Sequence, residues 1–171
     1  DRIKALAKKY GYDEYMVARF DKFVPQLEKF LASMDEPPRT YIRVNTLRIN
    51  ANALIQRLRD KGFVLKETDI QDCLEVTAEP YSIGASAEYL LGYFYVQDKS
   101  SLIPPMALGP KPRDVVIDMA ASPGGKTTQM AQMMENEGLL IAIEVEVARL
   151  AGLRSNLSRC GVMNTAMFHM D

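Results

Sequence analysis

Residues 115 to 130, VVIDMAASPGGKTTQM, carry the residue types and spacing best suited to chemistry in this 171-residue chain. Gly124 and Gly125 follow Pro123 and precede Lys126 and two threonines. A double glycine lets the backbone turn tightly and approach a ligand with no Cβ in the way. Counted from Ala120, the letters read A-x-x-x-x-G-K-T, one residue short of the phosphate-loop pattern that starts with glycine. A phosphate loop would place Lys126 on phosphate oxygens and Thr127 on a magnesium ion. The same letters also read as a strand, an acid at its end, a glycine turn and a helix start. That second reading suits a different nucleotide-like ligand.

Three acids bear on the choice. Asp118, Glu144 and Asp171 each end a segment that reads as a strand, VVIDMA, LLIAIEVE and TAMFHMD. Ligands of open α/β sheets bind at those carboxyl ends. Glu144 follows Gly125 by nineteen residues, close to the spacing at which an acid reaches a ribose diol. A carboxylate suits vicinal hydroxyls because it accepts from both. Asp118, at the mouth of the turn, would repel a triphosphate by a few kcal/mol at an effective dielectric of about 20. It would attract an amino group. A ligand with a ribose, an α-amino group and no phosphate fits best, and S-adenosylmethionine is such a ligand. A phosphate-loop ATP- or GTP-hydrolysing domain stays open beside it, as does an α/β domain that keeps the acids without a ligand.

The elements that must position these residues follow from periodicity. Strand–helix alternation from Val115 onward predicts parallel strands with crossover helices in a doubly wound layout, with VVIDMA as a buried strand. The helices are KTTQMAQMM and VARLAGLRSNLSRCG, the latter stopped by Gly161. Upstream, TYIRVNTL reads as a strand, NANALIQRLRDKGF as a helix ending at Gly62, and FVLKETDIQDCLEVTAEP as strand, turn and strand. Tyr89, Tyr93, Phe94 and Tyr95 could stack on bases, but core packing is the favoured reading for any one ring. SSLIPPMAL is a short apolar helix. The first 35 residues have helical spacing, with Gly11 as a break, Asp13 as a cap and Pro25 as a kink or restart. DEPPR is a linker.

Composition narrows the class. The chain is 47% hydrophobic and 25% charged, as in ordinary globular proteins. No apolar run is long enough to span a bilayer, so no membrane role and a cytoplasmic location are expected. Cys73 and Cys160 lie far apart without partnered Cys or His spacing, which argues against a disulfide and against a metal site. Residues 1–66 hold fourteen Lys/Arg against eight Asp/Glu, whereas residues 67–171 hold seven against fourteen. A basic front half suits a polyanion, although solvated helix faces would look the same.

The segments FYVQDKSSLIPPMAL and DVVIDMAASPGGKTTQMAQMM resemble the Fmu/Sun family of RNA 5-methylcytosine methyltransferases, the small archaeal-type tRNA enzymes most of all. YIRVNTLRI, EPYSIGASAEYLLGYFYVQDKSS and ARLAGLRSNLSRCGV are similar too, so the resemblance runs through nearly the whole chain. It implies an α/β fold: a Rossmann-like methyltransferase sheet, incomplete with its first strands only, preceded by a helical segment and a small α/β domain of RNA-binding type. The expected boundaries are 1–38 for the helical segment, 39–95 for the small domain and 96–171 for the start of the S-adenosylmethionine domain. The resemblance implies cofactor contacts from Ala120, Ala121, Ser122, Pro123, Gly124, Gly125 and Lys126. Glu144 would take the ribose, Asp171 would lie beside the adenine, and Arg149 would make a cofactor-side contact. Lys126 would point past the cofactor toward the target cytidine or its phosphate, in a supporting role. RNA, with tRNA favoured over rRNA, would be gripped through Lys8, Lys9, Arg43 and Arg48.

Two departures matter. Ser122 stands where the family usually has alanine. The family's nucleophilic cysteine, in a Thr-Cys context, and a second in an Asp-x-Pro-Cys context both lie downstream of Asp171. Methylation at C5 needs a thiolate on C6 and a base for the C5 proton. Cys73 and Cys160 are in neither context, and both read as structural. The complete protein is therefore expected to be an enzyme, and these 171 residues alone are expected not to turn over. A non-catalytic RNA-binding module that keeps the fold is a further alternative.

Overall fold

The computed structural model describes residues 2–171. The chain divides into two compact units, one ending at Pro38 and the other spanning Arg39–Asp171. The first unit holds three helices, α1 (Arg2–Tyr10), α2 (Glu14–Asp21) and α3 (Leu27–Met34). The Asp13 carboxylate accepts from the amides of Tyr15 and Met16 and so caps α2. Leu6, Ala7, Val17, Leu27 and Leu31 form this unit's own core.

In the second unit, β1 (Thr40–Val44) is followed by α4 (Ala51–Asp60), β2 (Val64–Glu67), β3 (Cys73–Ala78), α5 (Ala87–Leu90) and β4 (Phe94–Val96). The strands pair antiparallel in the order β2-β3-β1-β4. Asn50 caps α4 by accepting from the Ala53 amide. Leu54 and Leu58 from that helix pack on Ile42 and Val44 of β1, with Phe63, Leu74 and Phe94 around them. The aromatic run belongs to this packing: Phe94 and Tyr95 are buried, and Tyr89 and Tyr93 lie against the core.

A 3-10 turn at Lys99–Leu102 leads into α6 (Ile103–Leu108), which a left-handed Gly109 ends. Then come β5 (Val115–Asp118), α7 (Gly125–Met133), β6 (Leu139–Glu144), α8 (Val147–Cys160) and β7 (Thr165–His169). The three strands are parallel, in the order β5-β6-β7. Leu140 on β6 packs with Met130 of α7 and with Met134, which caps that helix, and Ala142, two residues on, packs with Leu153 and Leu157 of α8. Alternate residues of a strand share a face, so both helices cover the same side of the sheet.

Among the described residues β5 is the outer strand of this sheet, and its outward row carries no helix, so Val115 is 69% exposed and Ile117 56% where VVIDMA was expected to be buried.

The antiparallel and parallel sheets are joined by polar groups at one junction. Asn45, just past β1, donates both amide hydrogens, to the Gly92 carbonyl at 2.7 Å and the Cys160 carbonyl at 2.8 Å. Arg159 of α8 donates to the Tyr89 and Phe94 carbonyls at 2.7 and 3.1 Å and lies 4.0 Å from the Tyr89 ring centre. Gly92 makes this approach possible: a Cβ there would sit 1.9 Å from the Arg159 carbonyl oxygen. Among the described residues no helix is long and apolar enough to cross a membrane, and no group of acidic, His or Cys side chains is placed to hold a metal ion.

Candidate functional site

The turn between β5 and α7 is built from both sheets. Gly124 adopts φ +105°, a left-handed conformation that favours glycine, and a Cβ there would press to 3.2 Å from Leu153 of α8. The next residue begins α7, so the first amides of that helix face the turn. Asn156 of α8 donates to the Pro123 carbonyl at 2.8 Å, and Arg149 donates to the Ser122 carbonyl at 2.9 Å. The Ser122 hydroxyl in turn donates to the Arg149 carbonyl at 3.2 Å.

A pocket of about 230 Å³ opens beside the turn. Ala120, Ala121, Ser122, Pro123, Gly125 and Lys126 form one wall. Tyr95, Gln97, Asp98 and Ser101, from β4 and the turn after it, form the opposite wall. Gln97 is buried, and its Oε1 has no partner. Lys126 is exposed on the first turn of α7 at the pocket's edge.

Glu144 ends β6 and is 2% exposed. Its Oε1 accepts from the Glu146 amide at 3.0 Å. Its Oε2 has no hydrogen-bond partner, and the Arg149 guanidinium at 3.5 Å is an ion-pair neighbour, too far for a good hydrogen bond. The Glu146 amide is the main cause holding the Glu144 carboxyl below the usual carboxylate range, with Ser122 and Arg149 adding to it and burial opposing. A buried, ionised carboxylate with one free oxygen at a parallel strand's carboxyl end is set to accept from a ligand's hydroxyls.

Not every expected residue joins one site. Ala120 to Pro123, Gly125 and Lys126 line the pocket, and Ser122 and Arg149 lie beside Glu144, which is not itself part of that lining. Asp171 lies exposed, two residues past the end of β7, with no bond to the turn among the described residues. Asp118, the acid expected to meet an amino group, is engaged inside the protein. It accepts from the Thr127 hydroxyl at 2.7 Å and from the Ala120 amide at 3.3 Å. Thr127 is fully buried and absent from the pocket lining, so its hydroxyl oxygen is not offered to a magnesium ion there as a phosphate loop would require.

Arg43 is a further correction. Expected on an RNA surface, it is 3% exposed and donates to the Gly125 carbonyl and the Thr128 hydroxyl. A cation in a central strand looks solvent-facing in a sequence until a second sheet's helix is known to cover that face. Arg48 is exposed and lies against Gly161 at the end of α8. In the first unit, Lys8 is exposed and Lys9 pairs with Glu28 at 2.7 Å. Tyr95, Gln97 and Asn156 were not assigned to the site from the sequence, since their place beside the turn depends on the docking of β4 and α8.

Both cysteines are buried and unpaired. Burial raises the pKa of each thiol, which leaves neither an activated nucleophile.

Known proteins with the same features share this layout. Residues 12–82 match the ferredoxin-like domain of RsmF/B-like methyltransferases, and residues 105–171 match the 16S rRNA methyltransferase RsmB/F domain. The ribosomal RNA small subunit methyltransferase F of Vibrio cholerae is 39% identical over 92% of this chain and 35% of its own length. The 26S rRNA (cytosine-C(5))-methyltransferase nsun-1 of Caenorhabditis elegans is 35% identical over 98% of this chain and 26% of its own. The chain thus spans about a third or less of these curated relatives. A crystal structure of a methyltransferase homologue from Pyrococcus horikoshii superposes with a TM-score of 0.89 at 38% identity, covering 99% of this chain and 56% of that one. With both domains matched in order around the glycine turn, the chain belongs to the RsmB/F (Fmu/Sun) family of RNA methyltransferases.

Proposed function

We propose that the complete protein transfers a methyl group from S-adenosylmethionine to C5 of a cytidine in RNA, and that the described residues form its cofactor-binding part. The observation that carries this reading is Glu144: a buried carboxylate, held ionised, with one oxygen unpartnered beside a glycine turn. Such an acceptor fits a ribose diol and repels phosphate. Glu144 would hold the ribose, and the turn Ala120 to Lys126 would lie against the rest of the cofactor. Arg149, ion-paired with Glu144 and hydrogen-bonded to the Ser122 carbonyl, would keep the two in register. Asp171 would reach the adenine. When bound, S-adenosylmethionine supplies an electrophilic methyl group.

The residues of this chain bind and orient. Lys126, exposed at the pocket edge, would meet the incoming nucleotide or its phosphate. The thiolate that adds to C6 and the base for the C5 proton would come from the remainder of the protein, because Cys73 and Cys160 are buried with raised pKa values. The chain alone would therefore bind cofactor without turnover. Lys8 and Lys9 of the helical unit, and separately Arg48 after β1, would be basic contacts for RNA. The names of the relatives favour ribosomal RNA over the tRNA that the sequence resemblance implied.

Calorimetry on the full-length protein tests the cofactor, with S-adenosylmethionine expected to bind and Mg-ATP not. Transfer of labelled methyl to rRNA and tRNA, read as 5-methylcytosine in nuclease digests, tests the reaction. Binding of Mg-ATP alone, or label on any base other than cytosine, would refute the reading.

A further inference from the structure

The Arg43 guanidinium spans the two sheets at the point where the cofactor turn becomes a helix. One terminal nitrogen donates to the Gly125 carbonyl at 3.1 Å and the other to the Thr128 hydroxyl at 2.8 Å. The Thr128 hydroxyl donates in turn to the same Gly125 carbonyl at 3.1 Å, closing a ring of three groups. The Tyr95 ring lies 5.7 Å from the guanidinium carbon and 3.4 Å from where a Gly125 Cβ would be. Burial lowers the Arg43 pKa to about 10, so the group stays charged at neutral pH despite being cut off from water. Isolated buried cations are costly, and a protein keeps one only where the geometry of its bonds repays it.

These bonds fall on Gly125, which is the turn's last glycine and the first residue of α7, and on Thr128 three residues later. From the geometry we infer that Arg43 is a positioning residue for cofactor binding: the ferredoxin-like sheet sets the turn from behind through Arg43, with Thr128 as its partner and Tyr95 as its floor. Arg43 touches neither Glu144 nor the ribose end of the site in any bond the structure shows. Its effect therefore belongs to the turn's part of the pocket and not to the carboxylate's. The inference rests on the cofactor reading given above and adds to it a dependence on the neighbouring domain.

The test uses full-length protein carrying Arg43→Lys, Thr128→Val or Thr128→Ser. Calorimetric affinities for S-adenosylhomocysteine, which reaches the turn, are compared with those for adenosine, which engages the ribose end alone. Arg43→Lys and Thr128→Val should weaken S-adenosylhomocysteine by about tenfold, the size of one charge-assisted hydrogen bond, and leave adenosine within twofold. Thr128→Ser, which keeps the hydroxyl, should restore the affinity. Amide hydrogen exchange on ligand-free protein gives a second readout, with faster exchange at Gly124 to Thr127 in Arg43→Lys and Thr128→Val. Equal weakening of both ligands, unchanged affinities, or unaltered exchange at the turn would overturn the positioning role. If the wild type binds neither ligand the cofactor reading fails, while exchange still reports whether Arg43 holds the turn.

Discussion

Replacing Gly92 with alanine should destabilise the chain more than any surface change, because the residue sits where two sheets meet. Its φ is +71°, and left-handed backbone costs an L-residue about 1–2 kcal/mol. The added Cβ would lie 1.9 Å from the Arg159 carbonyl oxygen and 2.6 Å from its carbon, both backbone atoms that no rotamer change can move away. Relief requires α8 to withdraw. Withdrawal would strain the Arg159 bonds to Tyr89 and Phe94 and the Asn45 bond to Cys160. Losing two such bonds in the interior adds about 1–3 kcal/mol each, for a total of about 3–8 kcal/mol, at the severe end for single substitutions. The chain has no tryptophan, so urea unfolding is followed by tyrosine emission and far-ultraviolet circular dichroism. Gly152→Ala is the control: nothing lies within 4 Å of its Cβ in the middle of α8, and the change should stabilise by about 1 kcal/mol. A loss under about 2 kcal/mol for Gly92→Ala would mean that only the backbone conformation matters and that α8 is free to slide, refuting the junction as described.

Other substitutions separate the groups around the turn. Glu144→Gln should weaken S-adenosylmethionine binding by about tenfold, since a neutral amide is a poorer acceptor for a diol; equal affinities by calorimetry would remove Glu144 from the site. Because the folded-state pKa of Glu144 is lowered, its ionised form persists at neutral pH. Wild-type affinity should therefore hold there and fall only as the pH drops through that lowered value, and Glu144→Gln should flatten this acid limb. Thr127→Val deletes the donor to Asp118 and should cost about 1–3 kcal/mol in urea unfolding, and a neutral result would show the Asp118 carboxylate to be satisfied by other means. Lys8→Glu should weaken RNA binding and lower the slope of log affinity against log salt by about one, whereas an unchanged slope would move the RNA surface elsewhere.

Much of this could be read from the residues, and what could not has a common cause. The turn at Gly124, the cap at Asp13 and the run of parallel strands are local features, written in glycine, capping residues and periodicity. The place of Glu144 at the end of a strand was legible from periodicity. Arg43 was misread because its exposure depends on what covers a face. A charged residue in a strand looks the same in sequence whether a neighbouring element lies over it or water does. Gln97 and Asn156 lie in segments that resemble the family, but no periodicity or spacing assigns them to the turn, and tertiary docking brings them there.

The uncovered side of the parallel sheet governs how the 171-residue piece will behave in a tube. Val115 and Ile117 on β5, Leu139 on β6 and Phe168 on β7 point the same way and are each at least 40% exposed. Beside them, the outer rim of β5 offers backbone donors and acceptors that no strand occupies among the described residues. Copies of the piece will stick to one another at high concentration, more strongly in sulfate and less on cooling. A lysine at Val115 or Ile117 would make purification easier while leaving Glu144 and the turn undisturbed.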